Sequence, residues 1–269
     1  MNLTKTKEFA KILRLHALNM TSKAGSSHIG SMFSIADIVA VLFNDVLKIK
    51  PKNPNYKLRD RFILSKGHSG GIIYAALAEK GFFSKKKLED YCKNGSNLSG
   101  HISHYRVSGV EFSTGSLGHG LSVSCGIALA NLRRNVRVFN LMSDGELDEG
   151  SNWEAFMFAS HHKLSNLINI IDYNKLQSIE TVKKTLNLEP LESKLVSFGW
   201  NVFNVDGHNH KQIYSKIRKK KIRGKRKPIC IIAHTIKGKG VKFMENNNLW
   251  HYRAAKNEEL KTAIKYICR

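Results

Sequence analysis

The stretch from Leu141 to Gln177, LMSDGELDEGSNWEAFMFASHHKLSNLINIIDYNKLQ, predicts a strand, a helix and a second strand. The first apolar run ends just before Asp144, and the second, Leu167 to Ile171, ends shortly before Asn174. This spacing suits one strand–helix–strand crossover, and right-handed crossovers place successive strand ends side by side. We therefore expect Asp144 and Asn174 to meet at the carboxyl edge of a parallel sheet, where ligands bind.

These two residues offer a carboxylate and an amide oxygen, a donor set that suits Mg²⁺ and the phosphates that usually accompany it. The peptide carbonyl of Leu176 would give a third oxygen. Gly145 would let the backbone approach a phosphate and donate its N–H at a helix start. The alternative is that Asp144 only caps that helix. The pairing with Asn174 favours a metal site with Asp144, Asn174 and Leu176 as ligands.

The composition is ordinary for a soluble globular protein, with 42% hydrophobic and 24% charged residues among 269. No apolar run approaches the roughly 18 residues that a membrane span needs. The N-terminal sequence lacks the apolar region of a secretory signal. The four cysteines are scattered without a C-x-x-C pair, which argues against a disulfide scaffold or a zinc site. We therefore expect a cytoplasmic protein with no membrane contact.

The net charge is extreme, since 44 Lys and Arg against 21 Asp and Glu give +23. Nucleic-acid binding and the attraction of anionic, phosphorylated ligands are two interpretations. The third is a solvated basic surface. The densest basic run, Lys216 to Lys227, contains no aromatic residue for base stacking. This favours a charged surface face over nucleic-acid binding.

Strands that alternate with helices along the chain predict an α/β fold. We expect a doubly wound, mainly parallel sheet with helices on both faces, and one domain over 1–269, because no linker divides the chain. The predicted strands are Phe62–Leu64, Val136–Met142, Leu167–Ile171, Trp200–Val205 and Pro228–Ala233. The predicted helices cover about 3–22, 35–46, 72–80, 84–92, 121–132, 189–197, 209–221 and 257–267. The long segment Asn94–Gly120, rich in Gly, Ser and His, is expected to be functional.

The opening stretch resembles the thiamine diphosphate motif, Gly-Asp-Gly and, one spacer later, Asn, with Ser143 in place of the first glycine. The sequence that begins at Asp144, DGELDEGSNWEA, resembles transketolases more narrowly. Further motifs resemble that family and occur in its order: Ser26–Gly30, Ser65–His68, Ser99–His101, Thr114–Gly120, Lys237–Gly240, Met244–Asn247 and Trp250-His251. The resemblance covers nearly the whole chain.

The resemblance implies the diphosphate-binding fold of that family, with thiamine diphosphate and Mg²⁺ as cofactors. His28 and His101 would contact donor and acceptor hydroxyls, and His251 would lie between diphosphate and substrate and help move a proton. His68 would hold diphosphate oxygens. The other implied cofactor-binding residues are Gly115, Ser116, Leu117, Asp144, Gly145, Asn174 and His251. A histidine in isolation is more often a hydrogen-bonded structural residue, and His208 is the residue for which that interpretation is least secure.

Glu149 matches the acid that lies at the subunit interface between two cofactor sites in the family, where buried acids can share a proton. The alternative is an acid that the helix dipole favours at a helix N-terminus. Glu146, Asp148 and Glu154 share that alternative, although Glu154 also fits the family's interfacial Glu-Ala pair.

A complete transketolase is more than twice as long, so the resemblance implies the N-terminal subunit of a split transketolase. It would transfer a two-carbon ketol unit between sugar phosphates together with a separate C-terminal subunit, in an α2β2 heterotetramer that also requires self-association. The C-terminal subunit would supply the glutamate that contacts the aminopyrimidine ring. The alternatives are a subunit of a 2-oxo acid dehydrogenase or a decarboxylating synthase, and a non-catalytic binding protein with the same fold.

Several positions depart from the family pattern. Ile29 and Ile102 replace prolines, Ser103-His104 stands where an acid usually follows, and His119 replaces glutamine. The metal and diphosphate positions are kept, whereas residues near the substrate channel differ. We therefore hypothesise that the sugar substrates differ from the standard pentose phosphate pair.

Overall fold

A parallel sheet forms the centre of the molecule in the computed structural model, which describes residues 1–218 and 227–269. Five strands occur in the order β1-β2-β3-β5-β4, and every neighbouring pair is parallel. They are β1 Arg61–Leu64, β2 Val138–Ser143, β3 Leu167–Tyr173, β4 Asn201–Asp206 and β5 Ile229–His234. The five predicted strands are confirmed, with boundaries shifted by one or two residues.

Helices surround the sheet. They are α1 Leu3–Ala24, α2 Ile29–Ser34, α3 Ala36–Val41, α4 Gly70–Glu79, α5 Gly120–Ala130, α6 Gly150–His161, α7 Val182–Thr185, α8 Leu191–Ser197, α9 His210–Ile217, α10 Leu249–Tyr252 and α11 Asn257–Cys268. Shorter helical turns cover Leu42–Val46, Gly67–Ser69, Lys85–Asp90 and Gly145–Asp148. Among the described residues, no helix is long and apolar enough to cross a membrane.

The two faces of the sheet bury two separate apolar clusters. Along β2, Phe139 and Leu141 pack with α1 to α4 on one face, while Val138 and Met142 pack with α5 and α6 on the other. Side chains alternate between faces in a strand, so a strand covered on both faces is apolar at nearly every position. This arrangement confirms the predicted doubly wound fold.

The predicted helix over 35–46 is α3 followed by a π-helical turn, Leu42–Val46. Asp45 in this turn accepts a hydrogen bond from Thr6 of α1, a tertiary contact that hydrophobic periodicity does not report. The predicted helix over 84–92 is a 3-10 segment. The predicted helix over 209–221 corresponds to α9, His210–Ile217. Most of the basic run Lys216–Lys227 lies outside the described residues.

The strand order places the ends of β2 and β3 side by side, since Ser143 is opposite Asp172. On the other side of β3, Tyr173 is opposite His234 at the end of β5. The carboxyl ends of β2, β3 and β5 thus form one continuous edge, and the segments that follow them are brought together there.

Candidate functional site

A cleft of about 240 Å³ lies at this edge of the sheet. It is lined by the segments that follow β1, β2, β3 and β5, by the loop that precedes α5, by the start of α2 and by α10. The lining residues are His28, Ser31, Lys66, His68, His101, Gly115, Leu117, Ser143, Asp144, Gly145, Asn174, Leu176, Gln177, Ser178, Lys237, His251 and Tyr252. Most of the predicted cofactor residues are in this set, although Ser116 is exposed outside the lining.

The predicted metal ligands meet at the floor of the cleft. The Asp144 carboxylate accepts hydrogen bonds from the backbone N–H groups of Gly145 (2.8 Å) and Lys175 (2.5 Å). The Asn174 amide donates to Asp172 (3.1 Å) and its oxygen accepts from the N–H of Leu176 (3.0 Å). These contacts fix the directions of both side chains. The alternative, in which Asp144 only caps the following helical turn, accounts for one of its two carboxylate oxygens.

The electrostatic environment of Asp144 favours a cation beside it. Burial, and after it the negative charge of Asp172, raise the pKa of this carboxyl to about 7. A divalent cation would reverse that shift, because an opposite charge favours the ionised form. The donor set of one carboxylate, one amide and one peptide carbonyl fits Mg²⁺, a hard cation that keeps several other oxygen ligands. Among the described residues, no group of three His, Cys, Asp or Glu side chains is arranged to hold a metal.

Two buried lysines, for which sequence analysis had predicted no role, make the adjacent side of the cleft cationic. Lys66 is fully buried and donates to Asp172 (2.5 Å), which also accepts from Ser34 and Thr235. Lys237 donates to the carbonyl oxygens of Gln177 (2.7 Å) and Leu176 (3.4 Å).

Burial, and after it the charge of Lys66, lower the pKa of Lys237 to about 8. An anion would offset the mutual repulsion of Lys66 and Lys237, so this side of the cleft suits phosphate groups. Both lysines lie inside motifs that carry the family resemblance, Ser65–His68 and Lys237–Gly240. Membership in these motifs is the sequence feature that could have identified them.

Four histidines from four separate segments converge at the mouth of the cleft. The ring of His28 is 5.3 Å from that of His68, 5.4 Å from that of His101 and 4.9 Å from that of His251, measured between centroids. Burial, followed by the charge of His101, lowers the pKa of His28 to about 4. Burial, followed by the charge of Lys237, lowers the pKa of His251 to about 3. Burial is also the main cause that lowers the pKa of His68.

Neutral imidazoles can donate one hydrogen bond and accept another, which suits contact with hydroxyl groups. The backbone fixes part of this arrangement, because the N–H of His28 donates to the carbonyl of His251 (2.7 Å). The Nδ1 atom of His251 is buried and lacks a hydrogen-bond partner in the described structure. A buried polar atom without a partner costs free energy, so this nitrogen marks a position where a ligand would be accepted.

The segment that carries Gly115 and Leu117 reaches the cleft because of a close backbone contact. A Cβ atom at Gly67 would overlap the carbonyl oxygen of Thr114, so only glycine allows this approach. Thr114 also donates its hydroxyl proton to the carbonyl of Leu64 at the end of β1 (2.6 Å).

Glu149 does not line the cleft. It is exposed at the start of α6, as is Glu154 one turn later. The buried acid of this segment is Glu146, which accepts from Ser65, from the N–H of Gly118 (2.9 Å) and from the N–H of Ser143 (3.3 Å). Burial raises the pKa of Glu146, and its position ties the segments after β1, before α5 and after β2 together.

The family model that matches this sequence is described as "Transketolase, thiamine diphosphate binding domain", and the match covers residues 5–267. A 6-deoxy-6-sulfo-D-fructose transketolase subunit SqwG of a Clostridium species is 40% identical over 257 residues, which are 95% of this chain and 93% of the relative. One of the apulose-4-phosphate transketolase subunits of Phocaeicola vulgatus is 37% identical, over 94% of this chain and 90% of the relative.

Full-length transketolases are also similar. The crystal structure of transketolase from Campylobacter jejuni superposes with a TM-score of 0.91 at 31% identity and covers 100% of this chain but 43% of that protein. The human transketolase is 38% identical over 91% of this chain and 39% of its own length. The chain thus spans about two fifths of the length of these proteins and nearly the whole length of the two subunits.

Proposed function

Because the chain belongs to the transketolase family, within the group described as thiamine diphosphate-binding domains, we propose that it is the N-terminal subunit of a split transketolase. In this proposal it binds the diphosphate and Mg²⁺ part of the cofactor and transfers a two-carbon ketol unit between sugar phosphates. One observation carries the proposal: the oxygen donors of Asp144 and Asn174, the cationic lysines and the four histidines share one cleft.

Asp144, Asn174 and the carbonyl of Leu176 would hold Mg²⁺, and Lys66, Lys237 and His68 would face the diphosphate. Gly115, Leu117 and Gly145 also line the cleft. Thiamine diphosphate, when bound, supplies the electron sink that ketose carbon–carbon cleavage needs. The protein contributes orientation and charge, since a buried cationic wall holds an anion in one position.

The histidines would act on the sugar. His28 and His101 lie at the mouth of the cleft and would accept and donate hydrogen bonds at sugar hydroxyls. The Nδ1 atom of His251 has no hydrogen-bond partner among the described residues and lies in the same histidine group, so we assign the transfer of a proton to this residue. This set of histidines favours ketol transfer over the chemistry of 2-oxo acid dehydrogenases and decarboxylating synthases.

We also propose an α2β2 assembly with a separate C-terminal subunit. The exposed surface of α5 and α6 carries large apolar side chains, with Leu129, Met157 and Phe158 exposed at 41%, 51% and 40%. The exposed acids Glu149 and Glu154 lie at the start of α6 and within it, close in sequence to two of them. We assign this surface to self-association, because exposed large apolar side chains next to polar ones are typical of an interface. The two similar subunits named above support the existence of a partner chain.

The sugar substrates are proposed to differ from the standard pentose phosphate pair. The departures at Ile29, Ile102, Ser103-His104 and His119 support this, and so do the names of two relatives, which specify 6-deoxy-6-sulfofructose and apulose 4-phosphate. Equal activity with xylulose 5-phosphate and ribose 5-phosphate would contradict it.

We further propose that residues 1–269 form one domain in a reducing, cytoplasmic setting. The family match over residues 5–267 supports the first statement, and the four free cysteines, spread over separate elements, support the second.

The deciding experiment is to express this chain with a C-terminal transketolase-type subunit from a neighbouring gene and to purify them together. Ketol transfer is then measured with Mg²⁺ and thiamine diphosphate. We expect turnover by the complex and none by either chain alone. Full turnover by this chain alone would refute the split-subunit proposal, and the absence of cofactor binding by an intact complex would refute the cofactor assignment.

A further inference from the structure

A buried carboxylate behind the cleft, that of Asp37 on α3, accepts hydrogen bonds from three side chains on separate elements. Arg14 on α1 donates through Nη1 and Nη2 (3.2 and 2.6 Å), His208 through Nδ1 (2.8 Å) and His210 through Nε2 (2.9 Å). Burial raises the pKa of Asp37, but the charge of Arg14 and these hydrogen bonds outweigh it and hold the pKa well below its usual value. The carboxylate therefore stays charged and its acceptor positions are filled.

The two histidines differ in what their second nitrogen does. The Nε2 atom of His208 accepts the backbone N–H of Ile236 (2.9 Å), in the segment that follows β5. The Nδ1 atom of His210 is buried and lacks a partner in the described structure. Both rings hold the same carboxylate, but only His208 connects it to the segment after β5.

That segment, residues 235–239, contributes Lys237 to the lining of the cleft and Thr235 to the hydrogen bonds of Asp172. Thr235 donates its hydroxyl proton to Asp172, the partner of Lys66, and Lys237 reaches the carbonyl of Gln177. Arg14 adds a second tether through Nε, which donates to the carbonyl of Lys239 (3.0 Å). The Asp37 cluster thus binds the backbone at Ile236 and at Lys239, and the side chain of Lys237, which lies between them, lines the cleft.

The turn that carries His208 packs directly against the same segment. The N–H of Gly207 donates to the carbonyl of His234 (2.8 Å). A Cβ atom at Gly207 would overlap the methyl group of Thr235, so glycine is required for this contact. The packing of this turn therefore explains the Asp206-Gly207-His208 sequence without direct contact with a ligand.

We propose that His208 is a positioning residue that fixes the backbone at Ile236 and thereby places Lys237 at the anion-binding wall of the cleft. Lysine has a flexible four-carbon stem, so the location of its ammonium group depends on where its backbone is held. Groups that orient a binding residue from behind affect ligand affinity although they do not touch the ligand. The role of Lys237 toward a diphosphate rests on the proposed function, whereas the ordering of the segment does not.

The first test measures amide hydrogen exchange at Ile236 and Lys237 in the full chain without ligand. His208→Phe removes both hydrogen bonds of the ring, and we expect exchange at these two amides to become faster by about tenfold. His210→Phe is the matched control, because it disturbs the same carboxylate without touching the segment. His208→Gln retains one donor and one acceptor and should restore most of the protection.

The second test measures thiamine diphosphate binding, with Mg²⁺, by calorimetry in the complex with the C-terminal subunit. We expect His208→Phe to raise the Kd by about tenfold, with kcat at saturating cofactor within about twofold of wild type, while His210→Phe leaves the Kd unchanged. A role in stability alone would lower the melting temperature of both variants and leave both Kd values alike.

Equal exchange at Ile236 in the two Phe variants, or an equal change of Kd, would overturn the proposal. If a Phe variant fails to fold, the comparison of His208→Ala with His210→Ala, which also removes the ring hydrogen bonds, decides in the same way. If the wild-type complex binds no thiamine diphosphate, the proposed function fails, but the exchange experiment still decides whether His208 orders the segment.

Discussion

The oxygen-donor side of the cleft and its cationic side differ in how far the sequence predicted them. Asp144 and Asn174 end two neighbouring strands of one crossover, so strand–helix–strand logic places them together. Lys66 and Lys237 come from the segments after β1 and β5, and Lys66 pairs with a residue 106 positions away. The first side follows from local pattern, whereas the second depends on strand order. A sequence can therefore predict one side of a site and miss the other, although the residues of both sides are buried.

The largest expected effect is on cofactor binding at the oxygen-donor side of the cleft. Asp144→Ala removes the only side-chain carboxylate of the proposed metal site and, in the complex, should weaken thiamine diphosphate binding by at least about 100-fold. The measurement is calorimetric titration with Mg²⁺ and cofactor. Asp90→Ala, at an exposed carboxylate that does not line the cleft, is the control for the charge change. Unchanged binding by Asp144→Ala would show that Asp144 is not a ligand of the metal.

The cationic side should show a large effect on folding instead. Lys66→Met leaves the carboxylate of Asp172 buried without its ion partner, and we expect a loss of roughly 3–5 kcal/mol in the free energy of unfolding. Urea unfolding of the isolated chain measures it. The double variant Lys66→Met/Asp172→Leu removes both charges and should recover much of the loss. A single variant as stable as wild type would mean that Asp172 is held without Lys66.

Lys237 should separate binding from folding, because its ammonium group contacts carbonyl and amide oxygens and no carboxylate among the described residues. Lys237→Met should therefore cost less stability than Lys66→Met but raise the Kd for thiamine diphosphate by about tenfold or more, the size expected for a charge-assisted hydrogen bond. Calorimetry and urea unfolding on the same samples give both quantities. If Lys237→Met lowered stability as much as Lys66→Met and left the Kd unchanged, Lys237 would be a structural lysine and not part of the anion-binding wall.

The sequence was sufficient for the fold because each long helix carries its own periodicity and each strand is a short apolar run between polar turns. The β2–α6–β3 unit follows from these patterns, whereas the placement of Phe139 and Met142 on opposite faces follows from the alternation of side chains in a strand. For the site, motif order brought His28, His68, His101 and His251 to notice. It could not single out Lys66 and Lys237 among 44 basic residues, nor identify Glu146 as an acid that is buried within the chain. Those distinctions depend on which chain segments become neighbours in space.

A further effect concerns pH and the protonation of two histidines of the cleft. The pKa of His28 is about 4 and that of His251 about 3 in the folded chain, below the ordinary value of 6.5. Above pH 6.5 both rings are neutral in both states and contribute nothing. As the pH falls below 6.5 the unfolded chain binds more protons than the folded chain, so stability decreases toward pH 4. Urea unfolding at several pH values should show this decrease, and His251→Gln should make it shallower. A variant curve parallel to that of wild type would contradict the shift.

The pKa of His251 measures the electrostatic influence of Lys237 on the neighbouring histidines. After burial, the charge of Lys237 is the largest cause that lowers the pKa of His251. Lys237→Met should therefore raise that pKa from about 3, while burial keeps it below 6.5, and NMR titration of the ring protons in the isolated chain measures the change. Lys242→Met, at an exposed lysine on the same segment, is the control for the loss of one charge. An equal rise in both variants would mean that the overall positive charge of the chain, and not the placement of Lys237, sets the protonation of the predicted histidines.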